Sequence, residues 1–181
     1  MSAARYTAPA IVLHWLIALF VPCGFALGLY MVDLPFSPRK LTLYSYHKWI
    51  GVAVFALAAL RIAWRLTHPP PALPPSVPPW QAAASRAVHF LLYACLVAAP
   101  LSGWLYSSAT GVATVPFGIA ALQLPDVVSK DPALAVTLKF VHMTFVYTLA
   151  ALAGVHVAAA LKHQLLDRHA IISRMLPGRS P

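Results

Sequence analysis

The chain has 181 residues, 60% of them hydrophobic and 9% charged, with a formal net charge of +9 at neutral pH. About a quarter of the residues in a soluble domain are charged, so this composition excludes an ordinary soluble globule and points to a protein dissolved in lipid. The basic balance alone would also suit nucleic acid, but its distribution along the chain argues for membrane topology instead, and no nucleic-acid partner is expected.

Four apolar stretches stand out, at roughly 11–31, 46–66, 87–107 and 136–161. Each is close to the ~20 residues that an α-helix needs to cross the hydrocarbon core. So short a chain with four crossings leaves little for a soluble part, so 1–181 is expected to form a single all-α domain, a four-helix transmembrane bundle.

The first helix starts near Pro9, a residue favoured in the first turn. Its apolar run is longer than that of a secretory leader, and no small-residue cleavage site closes it, so it reads as a span. Gly24 and Gly28 form a G-x-x-x-G pair that allows close helix packing or makes room for a flat cofactor. The segment 33–43 (DLPFSPRKLTL) reads as a short connection, and the second helix carries Trp49 and Trp64 near its two ends, where tryptophan suits a membrane interface. Seven prolines in the twelve residues 68–79 then predict an extended polyproline strap. Pro100 is expected to kink the third helix, whose far end is marked by Trp104 and Tyr106. The mixed segment 108–139 should fold over the face of the bundle, and the Ala-rich fourth helix leads into a basic tail.

Alternating helix directions sort the charges. One side collects Arg5, Arg61, Arg65, Arg86, Lys162, Arg168, Arg174 and Arg179 against Asp167; the other has Arg39, Lys40, Lys48, Lys130 and Lys139 against Asp33, Asp126 and Asp131. The positive-inside rule then places both termini in the cytoplasm. Cys23 and Cys95 lie in mid-helix without a C-x-x-C or C-x-x-C-H partner pattern, so they read as small apolar residues, and any haem would be held non-covalently.

Histidines carry the chemistry. Ionisable groups inside a span are costly and usually functional, and imidazole is a common axial ligand of haem iron. With the termini inside, His14 and His156 fall near the cytoplasmic face, and His47 and His142 near the outer face. His142 and His156 are fourteen residues apart, close to four whole turns, which puts them on one face of the fourth helix about 21 Å apart. That arrangement suits two stacked haems, His47 with His142 and His14 with His156. Two histidines per iron leave no open position for O2 and favour electron transfer. By depth alone His89 could replace His14.

His163 continues the same stripe to the interface. It reads either as a proton-exchanging group at a quinone pocket or as an interfacial side chain facing lipid phosphate. His68 and His169 read as solvated. Arg39, Lys40 and Lys48 flank His47 in sequence and form either a basic rim toward lipid headgroups or a collector for a small anion such as superoxide.

Across nearly its whole length the chain resembles the bacterial dihaem cytochrome b561 family, which is related to the cytochrome b subunits of nickel–iron hydrogenases. The resemblance is carried by Tyr6 with I-x-L-H-W (Ile11 to Trp15), His47 followed by Gly51, R-I-x-W-R-L-T-H-P-P-P (Arg61 to Pro71), H-F-L-L-Y with P-L-S-G (His89 to Gly103), L-K-x-x-H (Leu138 to His142), G-V-H-x-A-A-A-L-x-H (Gly154 to His163) and a terminal R-M-L-P. It implies an inner-membrane protein with two b-type haems ligated by His14, His47, His142 and His156, exchanging electrons with ubiquinone. One branch of the family oxidises superoxide at the outer face, which the resemblance extends to this chain as an expectation. Two other readings compete: a membrane anchor that wires electrons to a redox partner protein, and a haem-free transporter or metal carrier using the same histidines.

Overall fold

The computed structural model describes residues 5–74, 76–167 and 171–176; His169, Arg168, Arg179 and the last residue of the R-M-L-P motif lie outside the described residues. The four apolar runs become four long helices, α1 (Ala8–Val32), α2 (Pro38–Thr67), α3 (Pro79–Thr110) and α4 (Pro132–Leu165). At 25, 30, 32 and 34 residues they exceed the ~20 needed to cross hydrocarbon, so their ends extend beyond it. Among the described residues there is no strand, only an isolated bridge between Thr114 and Leu124.

Every helix starts earlier than its apolar run. Each has a proline in its first two positions, where the missing N–H costs nothing and φ is already helical. The Ser37 side chain accepts from the Lys40 amide, and Asp131 accepts from the Ala133 and Leu134 amides, which satisfies N–H groups that the helix leaves unpaired. Much of the expected 33–43 connection is therefore helix, and Arg39 and Lys40 stand in the first turn of α2. α3 runs unbroken through Pro100, as α1 does through Pro22. It stops at Gly111, whose φ of 74° suits glycine in a left-handed cap.

The bundle is two hairpins. α1 packs along α2 and α3 along α4, α2 meets α3 less extensively, and α1 touches α4 only narrowly. The apolar core contains Ile17, Val54, Ala58, Cys95, Leu96 and Leu149, with Phe20, Ile50, Leu92 and Phe145 against it. These residues occupy the middle of the bundle, and the histidines stand above and below them.

The segment between α3 and α4 folds back over one end in two 3-10 turns, Pro116–Gly118 and Ala120–Leu122. Trp49 Nε1 donates to the Val115 carbonyl at 2.8 Å and Trp104 Nε1 to the Pro125 carbonyl at 3.0 Å. These tryptophans, expected at an interface, thus anchor the cover. The opposite end gathers the start of α1, the proline strap and the C-terminal segment. Trp64 Nε1 donates to Thr7 Oγ1 at 2.8 Å, Trp15 Nε1 to the Met175 carbonyl at 2.6 Å and Arg174 Nη1 to the Ala72 carbonyl at 2.8 Å. The two ends are called here the loop end and the terminal end.

Candidate functional site: two histidine levels

Inside the helices the polar side chains fall at two levels with a common register. Each helix places one residue at the terminal level and another fourteen positions away at the loop level: His14 and Gly28 on α1, Arg61 and His47 on α2, His89 and Gly103 on α3, His156 and His142 on α4. Fourteen residues is close to four turns, so the two members share a helix face about 21 Å apart.

The loop level is made of two histidines and two glycines. The His47 and His142 rings stand 6.2 Å apart between centroids, at an interplanar angle of 89°. His47 Nδ1 is 3.1 Å from the Gly24 carbonyl and His142 Nδ1 is 2.9 Å from the Ala99 carbonyl. A carbonyl can only accept, so each Nδ1 carries the proton and donates, and each Nε2 keeps its lone pair for a metal. The glycines are spacers for these rings. A Cβ on Gly28 would stand 3.2 Å from His47 Cε1, and one on Gly103 would stand 3.0 Å from His142 Cε1.

At the terminal level the residues are His14, Arg61, His89 and His156. The His14 and His156 rings are also 6.2 Å apart, at 84°. His14 lies against Trp15 at 5.3 Å and His156 against His89 at 5.0 Å. His89 Nδ1 donates to the Ser85 carbonyl of its own helix at 2.6 Å. The Arg61 guanidinium is within electrostatic reach of His14, His156 and His89.

These separations test the fit of a haem iron. Two metal–imidazole bonds of about 2 Å each, plus the distance from each ring centre to its nitrogen, span about 6 Å. Both 6.2 Å pairs match that span, and the 5.0 Å between His89 and His156 falls short of it. Each matching pair takes one ring from the α1–α2 hairpin and one from α4, and beside His47 there is room: nothing outside the helix's own backbone lies within 4 Å of where a Cβ would stand on Gly51, one turn away. A flat, doubly ligated group suits this donor set. Among the described residues, no three histidine, cysteine or acidic side chains converge to hold a bare ion.

The other candidate residues do not form a single patch. Arg39 Nη2 donates to the Tyr30 hydroxyl at 3.0 Å, and Lys40 Nζ donates to the Val32 carbonyl at 3.1 Å, both at the α1–α2 turn. Lys48 turns elsewhere, its Nζ donating to the Val112 and Ala113 carbonyls at 3.0 and 3.2 Å, under the loop cover. The expected cluster around His47 is thus two separate basic places at the loop end. His163 lies at the terminal end with Nδ1 2.8 Å from Asp167 Oδ2, which Lys162 Nζ also meets at 2.6 Å. The hydrogen bond from Lys162 holds the Asp167 carboxyl below the usual carboxylate range. His68 is exposed and stacks on Trp64 at 3.9 Å.

Sequence reasoning overlooked Gly28, Gly103 and Arg61 as members of the levels. The signal was available: the spacing noticed on α4 recurs on all four helices.

Comparison with known proteins agrees with this geometry. The model of the family described as prokaryotic cytochrome b561 matches residues 5–178. Cytochrome b561 homolog 2 of Escherichia coli K12 is 34% identical over 175 residues, covering 95% of this chain and 91% of the relative. The probable superoxide oxidase CybB of Yersinia pestis is 27% identical over 181 residues, covering 96% of each. Cytochrome b561 homolog 1 of Escherichia coli K12 is 26% identical over 176 residues, covering 97% and 98%. The chain therefore belongs to the prokaryotic cytochrome b561 family, multi-pass membrane proteins that bind b-type haem and transfer electrons.

Proposed function

We propose that the protein is a dihaem cytochrome of the bacterial inner membrane that takes electrons from superoxide at the loop end and delivers them to ubiquinone. The observation that carries the dihaem reading is the pair of equal ring separations, 6.2 Å at each of two levels. His47 and His142 hold the loop-level haem, and His14 and His156 the terminal-level one. His89, at 5.0 Å from His156, is a neighbour and not a ligand. The basic excess at the terminal end supports a topology with both termini in the cytoplasm and the loop end outside.

When bound, the two haems supply one-electron redox chemistry; the chain supplies position and charge. His47 and His142 keep Nε2 unprotonated because Nδ1 donates to a helix carbonyl. The apolar slab between the levels, with Ala58 wholly buried, keeps water out of the middle of the bundle. Arg39 and Lys40 draw a small anion toward the loop end. Two superoxide anions each lose one electron and leave as O2; one ubiquinone gains two electrons and two protons and leaves as the quinol. His163, bound to Asp167 at the terminal end, is the proposed proton-exchanging group for that uptake. The superoxide assignment draws support from the Yersinia pestis relative, whose name describes a probable superoxide oxidase.

The test is a reduced-minus-oxidised spectrum with haem and protein measured on one sample, followed by stopped-flow mixing with superoxide in quinone-loaded proteoliposomes. Two low-spin b-type haems per chain and quinol formation are expected. A colourless protein would overturn the cytochrome reading; a haem-replete protein inert to superoxide would remove that donor and favour an electron wire for a redox partner protein.

A further inference from the structure

Arg61 is a charge without a carboxylate. It stands on α2 fourteen residues from His47, at the depth of the His14–His156 pair and about 9 Å in from the end of the helix. A charge at such a depth is costly unless it is paired. Its hydrogen-bond partners are neutral: Nη1 donates to the Ala10 carbonyl at 2.6 Å and Nε to the Tyr93 hydroxyl at 2.9 Å. Those two bonds use two of the five N–H donors that a guanidinium carries. One turn nearer the terminal end, the Arg65 guanidinium lies over the Tyr93 ring, 5.7 Å from its centroid. Arg61, Arg65, Tyr93, Trp64, Tyr6 and His68 line one small cavity.

The chain has only four acidic residues to offer. Asp33, Asp126 and Asp131 belong to the loop end, and Asp167 is taken by Lys162 and His163. No side-chain carboxylate is therefore placed to neutralise the pair of guanidinium groups, and their fork geometry suits a carboxylate or a phosphate.

The geometry points to Arg61 and Arg65 as an anion site that binds a carboxylate carried by the group between His14 and His156, namely a propionate of the terminal-level haem. This rests on the two-haem reading. The register explains why Arg61 is here: α2 supplies a ligand at the loop level and a counter-charge at the terminal level, on the same face. Arg65, one turn further out, lies where a second carboxylate directed to the aqueous side would meet it. A phosphate of an anionic lipid headgroup has the same chemistry and is the competing source.

The experiment is a redox titration of the purified holoprotein and of Arg61→Gln, Arg61→Lys and Arg65→Gln in nanodiscs. Loss of a positive charge beside a ferric haem favours the oxidised form. In Arg61→Gln the midpoint potential of one haem is expected to fall while the other stays in place. Arg65→Gln should shift the same haem by less, and it carries the test if Arg61→Gln does not fold. The Arg61 charge acts on the iron with or without a carboxylate, so the ligand is read from haem retention: reloading with haem dimethyl ester, which lacks free carboxylates, should weaken retention at that level in wild type and abolish the difference in retention between wild type and Arg61→Gln. If the difference in retention survives the ester but vanishes when phosphatidylglycerol is replaced by phosphatidylcholine, the ligand is lipid phosphate and the carboxylate assignment is overturned. Equal shifts of both haems, or none, also overturn it. A wild-type protein with one haem or none sinks the two-haem reading itself, a result that the haem assay shows before any variant is made.

Discussion

The two histidine levels share a ring separation and reach it by different means. At the loop level the backbone does the work: helix carbonyls of Gly24 and Ala99 hold the rings, and Gly28 and Gly103 leave just enough space for them. At the terminal level side chains do it: Trp15 and His89 pack the rings, and Arg61 brings a charge among them. Backbone groups of packed helices cannot turn away as a side chain can. The loop-level site is thus geometrically rigid, and the terminal-level site is tunable by charge. On the two-haem reading, the two potentials are expected to differ, with the level beside Arg61 raised relative to the same site without it.

The largest effect expected breaks the terminal level. His14→Ala should remove one of the two haems even though His89 stands beside His156, because 5.0 Å between centroids leaves no room for an iron. His89→Ala should keep both. Haem-to-protein ratios on the two variants check this; retention of both haems in His14→Ala would mean that His89 moves into place.

Next, Gly103→Ala aims at the loop level alone. The new Cβ would lie 3.0 Å from His142 Cε1 and push the ring off its carbonyl. Disturbed support of this kind typically weakens metal binding about 10–100-fold. Preferential loss of the haem that Arg61→Gln leaves unshifted is the expected result, read by redox titration. Equal loss at both levels would show that the levels are not independent.

A smaller effect concerns the approach to the loop end. Arg39→Gln with Lys40→Gln should slow superoxide oxidation about tenfold at low ionic strength and flatten its salt dependence. Unchanged rates would remove the collector. Lys48→Gln is a different experiment, because Lys48 ties down the Val112 and Ala113 carbonyls and its loss should loosen the loop cover.

The smallest effect is at the end of α4. Asp167 is held below the ordinary carboxylate value of 3.8 by Lys162 first, with His163 adding to it. A depressed value in the fold means that the clamp stabilises above that ordinary value and is lost as pH falls through the lower one. Amide protection near Lys162, corrected for the intrinsic exchange rate, should therefore be flat from neutral pH to about 5 and fall only in stronger acid. Asp167→Asn should show the lower protection from neutral pH to about 5, and the difference should close in stronger acid.

How much of this was legible in the chain depends on the range of the physics. Spans, helix count and the depth of each histidine are properties of single helices, set by hydropathy and a 1.5 Å rise. The helix starts were legible too, in Ser37 with Pro38 and Asp131 with Pro132, but a hydropathy window is blind to caps and the expected ranges began late. The fourteen-residue register on all four helices was also present in the residues, and only its α4 member was noticed.

What stayed hidden needed two helices at once. Depth could not separate His14 from His89, because both are at the same height; their distances to His156, 6.2 and 5.0 Å, depend on how the hairpins pack. Nor could proximity in sequence show that Lys48 serves the loop while Arg39 and Lys40 serve the α1–α2 turn. The sequence by itself determined four membrane-spanning helices with histidines at two depths, since burial of apolar surface and helical rise act within one segment. The tertiary structure alone decided which rings face each other, which carbonyls orient them and which charge meets no carboxylate, because those are distances between segments that no single helix contains.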